Sequence, residues 1–95
     1  MKKVKITASG CVQGVGFRWA TLALANSYEG LYGRVWNNDD GTVTILAQAE
    51  DSAQLHQFIQ AVRKGPNRFA KVNYLEVCPA SFKDYKDFQV LQTAP

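Results

Sequence analysis

Gly10-Cys11-Val12-Gln13-Gly14-Val15-Gly16-Phe17-Arg18 is the stretch whose reading decides this chain. Three glycines within seven positions let the backbone take φ > 0 and approach a ligand with no Cβ in the way. Such a loop can turn successive N–H groups inward. At the start of a helix those amides make a partly positive concavity suited to phosphate, and Arg18 adds a planar fork of donors that keeps its charge at neutral pH. The stretch reads as an anion cradle built from Gln13, Gly14, Val15, Gly16, Phe17 and Arg18.

Two familiar nucleotide loops do not fit. A P-loop needs Lys followed by Ser or Thr after its last glycine, where this chain has Phe17-Arg18; a dinucleotide fingerprint needs glycine at position 19, which is Trp19. A thiol phosphatase sets its cysteine one residue closer to its arginine than Cys11 stands to Arg18, so that class is the weaker alternative. With Gly10-x-Val12-Gln13-Gly14-Val15-x-Phe17-Arg18 and Gly33-x-Val35-x-Asn37 the chain resembles the acylphosphatase family over nearly its whole length. Asp39-Asp40-Gly41-Thr42-Val43, Gly65-Pro66 and Asp87-Phe88-Gln89-Val90 extend the resemblance. The segment from Arg18 to Gly33 is one residue longer than the family pattern, in the part reading Ser27-Tyr28-Glu29-Gly30.

Ninety-five residues make one domain, 1–95, with a single core. The balance of 46% hydrophobic and 20% charged residues is that of a globular chain. A net charge of +3 favours anionic ligands mildly, and the basic residues are dispersed, with no cationic block of the kind nucleic acid calls for. No apolar run reaches the ~20 residues of a membrane helix. The Met-Lys-Lys start leads into alternating Val4-Lys5-Ile6-Thr7, so a cytoplasmic, monomeric protein is expected. Cys11 and Cys78 are expected to be buried or half-buried free thiols, since two cysteines make neither a disulfide scaffold nor a zinc motif.

Lys3 to Ser9 alternates as a half-buried strand and delivers the chain into the glycine loop. Trp19 to Ser27, rich in Ala and Leu, predicts a largely buried helix closed by Gly30. Gly33–Asn37 and Thr42–Ala47 predict two antiparallel strands joined at Asp40-Gly41. Asp51 with Gln54 suggests a capping box, and Leu55, Phe58, Ile59 and Val62 mark one face of a second helix, stopped at Lys64-Gly65-Pro66. Ala70–Val77 and Phe88–Leu91 complete the strands around a loop from Pro79 to Lys86. The order βαββαβ, with one short extra strand, predicts an α+β fold: a ferredoxin-like split βαβ sandwich, its antiparallel sheet carrying both helices on one face. The family resemblance implies the same arrangement.

The cradle has no histidine, carboxylate or metal-ligand cluster in its neighbourhood, and His56 lies on the second helix facing solvent. A phosphate monoester leaves as a poor alkoxide and usually demands a metal, nucleophile or general acid. An acyl phosphate leaves as a carboxylate without being protonated, and needs chiefly positioning and charge stabilisation. Arg18 would grip the phosphoryl oxygens alongside the loop amides. The resemblance implies that Asn37 holds the attacking water, that the substrate is a small acyl phosphate, and that no metal or cofactor is used.

Each residue also has a plainer reading. A glycine loop can be a simple strand-to-helix connection, and Asn37-Asn38-Asp39-Asp40-Gly41 is good turn chemistry throughout, with Asn38 the nearest rival to Asn37. Cys11 is read as a packed thiol beside the loop. Trp19, Trp36 and Tyr32 are read as core or rim. An aromatic sheet on a split βαβ domain is also how RNA-recognition modules work, but no stretch matches their aromatic RNP1 pattern.

Overall fold

The computed structural model describes all residues, Met1–Pro95. Strand β1 (Lys2–Cys11) leads through the glycine loop into helix α1 (Phe17–Asn26), followed by β2 (Tyr32–Asn37), β3 (Val43–Ala49), helix α2 (Ser52–Lys64), β4 (Lys71–Pro79) and β5 (Phe88–Val90). The strands form one sheet in the order β4-β1-β3-β2-β5. Four of them pair antiparallel, as the alternating patterns predict. The short fifth strand instead lies parallel to β2, Gly33 opposite Phe88, which makes the sheet mixed. The ferredoxin-like sandwich is thus present with an added edge.

One face of the sheet carries the core. Ile6, Ala8, Val35, Val43, Ile45 and Ala47 pack beneath Phe17 and Ala25 of α1 and Leu55, Phe58 and Val62 of α2. Each Val, Leu, Ile or Phe among them contributes roughly 1.5–3 kcal/mol when fully buried. Helix α2 follows its expected face, and Asp51 caps it by accepting from the N–H groups of Ala53 at 2.8 Å and Gln54 at 3.4 Å. The reciprocal arm of a capping box, from the Gln54 side chain, is not formed. Helix α1 starts two residues before the expected Trp19, because Phe17 is drawn into the core at 1% exposure. It ends at Ser27, whose N–H and hydroxyl close the last turn, and Gly30 follows in the turn to β2. Only Phe17, Thr21 and Ala25 of α1 are buried, so it is amphipathic where a largely buried helix was expected.

The opposite face is crossed by the chain between β4 and β5. Gln48 holds that crossing with two bonds to the Tyr85 backbone, accepting at 2.7 Å and donating at 3.0 Å. Arg34 stacks on the Tyr85 ring at 4.1 Å, and Lys3 pairs with Asp84 at 2.7 Å. Trp36, on this face, is 7% exposed, whereas Trp19, on α1, is 62% exposed. Both cysteines are exposed, contrary to expectation. Cys78 stands opposite Lys5 on the edge strand, and Cys11 sits at the last position of β1, opposite Lys71 of that same edge strand. No helix is long and apolar enough to cross a membrane.

A Cβ on Gly33 would stand 1.7 Å from the Leu46 carbonyl oxygen, so the backbone itself forbids a side chain at the second position of β2. Gly33→Ala is expected to lose on the order of 3 kcal/mol, the scale of severe overpacking, read as a lower urea midpoint with an unchanged slope. Asp40 in the β2–β3 turn accepts from the Thr42 hydroxyl at 2.6 Å and the Thr42 N–H at 3.0 Å, and these bonds hold its carboxyl below the ordinary aspartate value. A lowered folded pKa means that this contribution is in place above the ordinary value and is lost as pH falls through the folded one. The Thr42 amide should therefore lose hydrogen-exchange protection on acidification below about pH 4, and Asp40→Asn should remove that acid dependence.

Candidate active site

Val12 and Phe17, each 1% exposed, pin the two ends of the glycine loop in the core. Between them Gly14 and Gly16 both adopt φ 75, the left-handed region that other residues rarely take. Gly16 is also the N-cap of α1, supplies no side-chain cap, and is followed by no acidic residue in the first turn. Consequently none of the backbone N–H groups from Gln13 to Arg18 donates to another group of the protein. A run of unpaired amides at a helix start is what an anion can satisfy.

Three contacts from distant parts of the chain fix this loop. The Gln13 side chain donates from Nε2 to the carbonyls of Asn38 at 2.8 Å and Thr42 at 2.9 Å, tying the loop to the β2–β3 turn. Among the predicted ligand-binding residues, Gln13 therefore has its side chain committed to the hairpin and only its N–H free. Asn67, in the turn between α2 and β4, donates from Nδ2 to the Val15 carbonyl at 3.0 Å. Sequence reasoning missed Asn67 altogether; its only signal is its place just after Gly65-Pro66. Arg18 donates from Nη1 to the Leu91 carbonyl at 3.3 Å, and Leu91 in turn donates its N–H to the Val35 carbonyl at 2.8 Å. Arg18 belongs to neither of the ion pairs in the fold, so its charge is not taken up by a carboxylate.

The β2–β3 turn separates the two adjacent asparagines. Asn38 is fully engaged: its Oδ1 accepts from Trp36 Nε1 at 3.1 Å, and its Nδ2 donates to Thr42 Oγ1 at 2.9 Å and Thr44 Oγ1 at 2.7 Å. Asn37 pairs with Val43 in the sheet register and so points to the face that carries the helices and the glycine loop. Its Oδ1 is buried and has no hydrogen-bond partner. Leaving such an atom unsatisfied costs about 1–3 kcal/mol. A cleft of about 340 Å³ is lined by Asn37, Asn38, Asp39, Gln92, Thr93 and Ala94 and by no residue of the glycine loop. No three His, Cys, Asp or Glu side chains gather in a way that could hold a metal ion. His56 is exposed on α2, outside this constellation.

Comparison with known proteins bears on the family and the fold. The family model described as acylphosphatase matches residues 4–90. An acylphosphatase of Lactococcus lactis is 50% identical over 96 aligned positions, covering 95% of this chain and 98% of the relative. Among solved structures, the acylphosphatase of Bacillus subtilis superposes with a TM-score of 0.87 at 36% identity, covering 96% of this chain and 99% of that one. An acylphosphatase from Coxiella burnetii gives 0.85 at 29% identity, over 95% and 92%. With both signature stretches, the sandwich and the full-length match in accord, this chain belongs to the acylphosphatase family.

Proposed function

We propose that the protein hydrolyses the carboxyl–phosphate bond of small acyl phosphates, by direct attack of a water held by Asn37 on a phosphoryl group held by Arg18 and the loop amides. The observation that carries this reading is the run of unpartnered N–H groups from Gln13 to Arg18, ending on a guanidinium free of any ion pair. Charge-assisted bonds to such donors are roughly twice as strong as neutral ones, and they strengthen as charge spreads over the phosphoryl oxygens in a loose transition state. The unsatisfied Oδ1 of Asn37 supports its part. It can accept a hydrogen from water and orient one lone pair of that water towards phosphorus, a role Asn38 cannot share because its amide is already spent on the turn. The bond from phosphorus to the carboxylate oxygen breaks as the bond to water forms; the carboxylate leaves unprotonated, both protons of the water depart on the inorganic phosphate, and no covalent intermediate forms.

Arg18→Ala should nearly abolish turnover of benzoyl or acetyl phosphate while thermal unfolding stays cooperative. Asn37→Ala should lower kcat on the order of 10²-fold or more, as loss of a preorganised hydrogen-bonding group does elsewhere. Asn38→Ala should act differently, reducing stability more than kcat; a near-normal kcat for Asn37→Ala would move the water to another residue.

Neither arginine nor asparagine side chains titrate near neutrality, so kcat should stay flat across the middle pH range once substrate ionisation is allowed for. Cys11 is exposed beside the loop, which gives the thiol-phosphatase alternative its one favourable observation. Cys11→Ser should retain full activity, with chelator making no difference; loss of activity with a trapped phosphocysteine in the wild type would establish the thiol mechanism instead.

A further inference from the structure

The peptide between Val15 and Gly16 lies in the middle of the loop and is held from outside it. Asn67 reaches it from 52 residues further along the chain, so the contact exists only in the folded state. Its Oδ1 accepts from the N–H groups of Phe69 at 3.1 Å and Ala70 at 2.8 Å. Those two bonds decide which end of the amide is which: the oxygen is used within its own turn, and the Nδ2 hydrogens face the Val15 carbonyl at 3.0 Å. A Cβ on Gly16 would sit 3.5 Å from that nitrogen, so Asn67 packs directly against the loop backbone.

A trans peptide is planar, with its C=O and N–H pointing opposite ways, and this chain has no cis peptides. Fastening the Val15 oxygen to Asn67 therefore aims the Gly16 N–H away from Asn67, and that N–H has no acceptor in the protein. Nothing local enforces this orientation. Gly16 can take either sign of φ at little cost, so rotation of the Val15–Gly16 peptide by about 180° meets little steric resistance. A rotated peptide would present a carbonyl oxygen where a donor is needed, turning attraction for a phosphoryl group into repulsion.

We propose that Asn67 is a positioning residue of the phosphate loop, holding the Val15–Gly16 peptide so that the Gly16 N–H remains a phosphate donor. This rests on the reading of the loop as a phosphate site. Asn67 acts through one peptide plane, by its bond to the Val15 carbonyl.

Two substitutions separate this role from a purely structural one. Asn67→Asp keeps the acceptor for Phe69 and Ala70 but cannot donate to Val15, and Asn67→Ala loses both functions without adding charge. Inorganic phosphate is titrated into ¹⁵N-labelled wild type and variants at low and high salt, following the Gly16 amide, with thermal unfolding and kcat measured alongside. The expected result is phosphate binding weakened about tenfold or more in both variants, the scale of one lost charge-assisted bond. The phosphate-induced shift of the Gly16 amide should be lost, kcat should fall, and Asn67→Asp should keep a melting temperature near that of wild type. Unchanged phosphate affinity in Asn67→Ala, even with a lowered melting temperature, would overturn the role, as would a defect confined to Asn67→Asp that high salt erases. Wild type that fails to bind phosphate at the loop would overturn the phosphate-site reading, and this role with it.

Discussion

The two hydrogen bonds from Gln13 Nε2 to the carbonyls of Asn38 and Thr42 join the glycine loop to the β2–β3 turn, and the site depends on that junction. A single side chain spans two segments 25 and 29 residues apart in sequence, binding the strand end that carries Asn37 to the loop that ends in Arg18. The other two tethers have the same character. Asn67 grips the outer side of the loop, and Leu91 links Arg18 to β2 through its own backbone. Every one of these bonds ends on a backbone carbonyl, of the loop, the turn, the tail or β2. That leaves the loop N–H groups unspent, which is the condition for binding an anion.

Two kinds of force share the work. Burial of Val12 and Phe17 fixes where the loop begins and ends, at roughly 1.5–3 kcal/mol each. Burial is non-directional and cannot say which way a peptide faces. Orientation comes from the side-chain amides of Gln13 and Asn67, each bond worth only about 1 kcal/mol net but directional. A glycine-rich segment needs such external fastening, because the freedom that admits φ 75 at Gly14 and Gly16 also admits competing arrangements.

The pattern of legibility in the sequence follows from the same division. Periodic features were readable: the i, i+3, i+4, i+7 face of α2, the alternation of β1 and the Asp40-Gly41 turn report local geometry, and the structure has all three. The parallel pairing of β5, the exposure of Cys11 and Cys78, and the tether from Asn67 depend on segments far apart in the chain, where no local period exists. Asn37 and Asn38 show the boundary most clearly. As letters they are interchangeable turn formers, and a strand alternates its faces, so neighbours must point opposite ways. Once β2 and β3 are in register, with Asn37 opposite Val43, one asparagine is turned towards the loop and the other is left to the hydroxyls of Thr42 and Thr44.

That alternation bears on how so small a fold can support hydrolysis. On the proposed reading, the phosphoryl group and the water come from two elements: the loop before α1 and the end of β2. Each element alone is poorly specified, the loop because it is glycine-rich and the strand end because it runs straight into a turn. Joined by Gln13 and by the Arg18–Leu91–Val35 chain, they constrain one another, and a misplacement of either by 1 Å could cost on the order of 10²-fold in rate. The loop N–H groups have no partner within the protein, and the buried, orphaned Oδ1 of Asn37 reduces the stability of the free protein. Both defects would be relieved by the same ligand set, an oxyanion and a water, so phosphate present at a hundred times its dissociation constant should stabilise the fold by about 2.7 kcal/mol. On the proposed reading, a buried polar atom with no partner and a run of idle donors are local exceptions to a satisfied fold that a bound ligand set would complete.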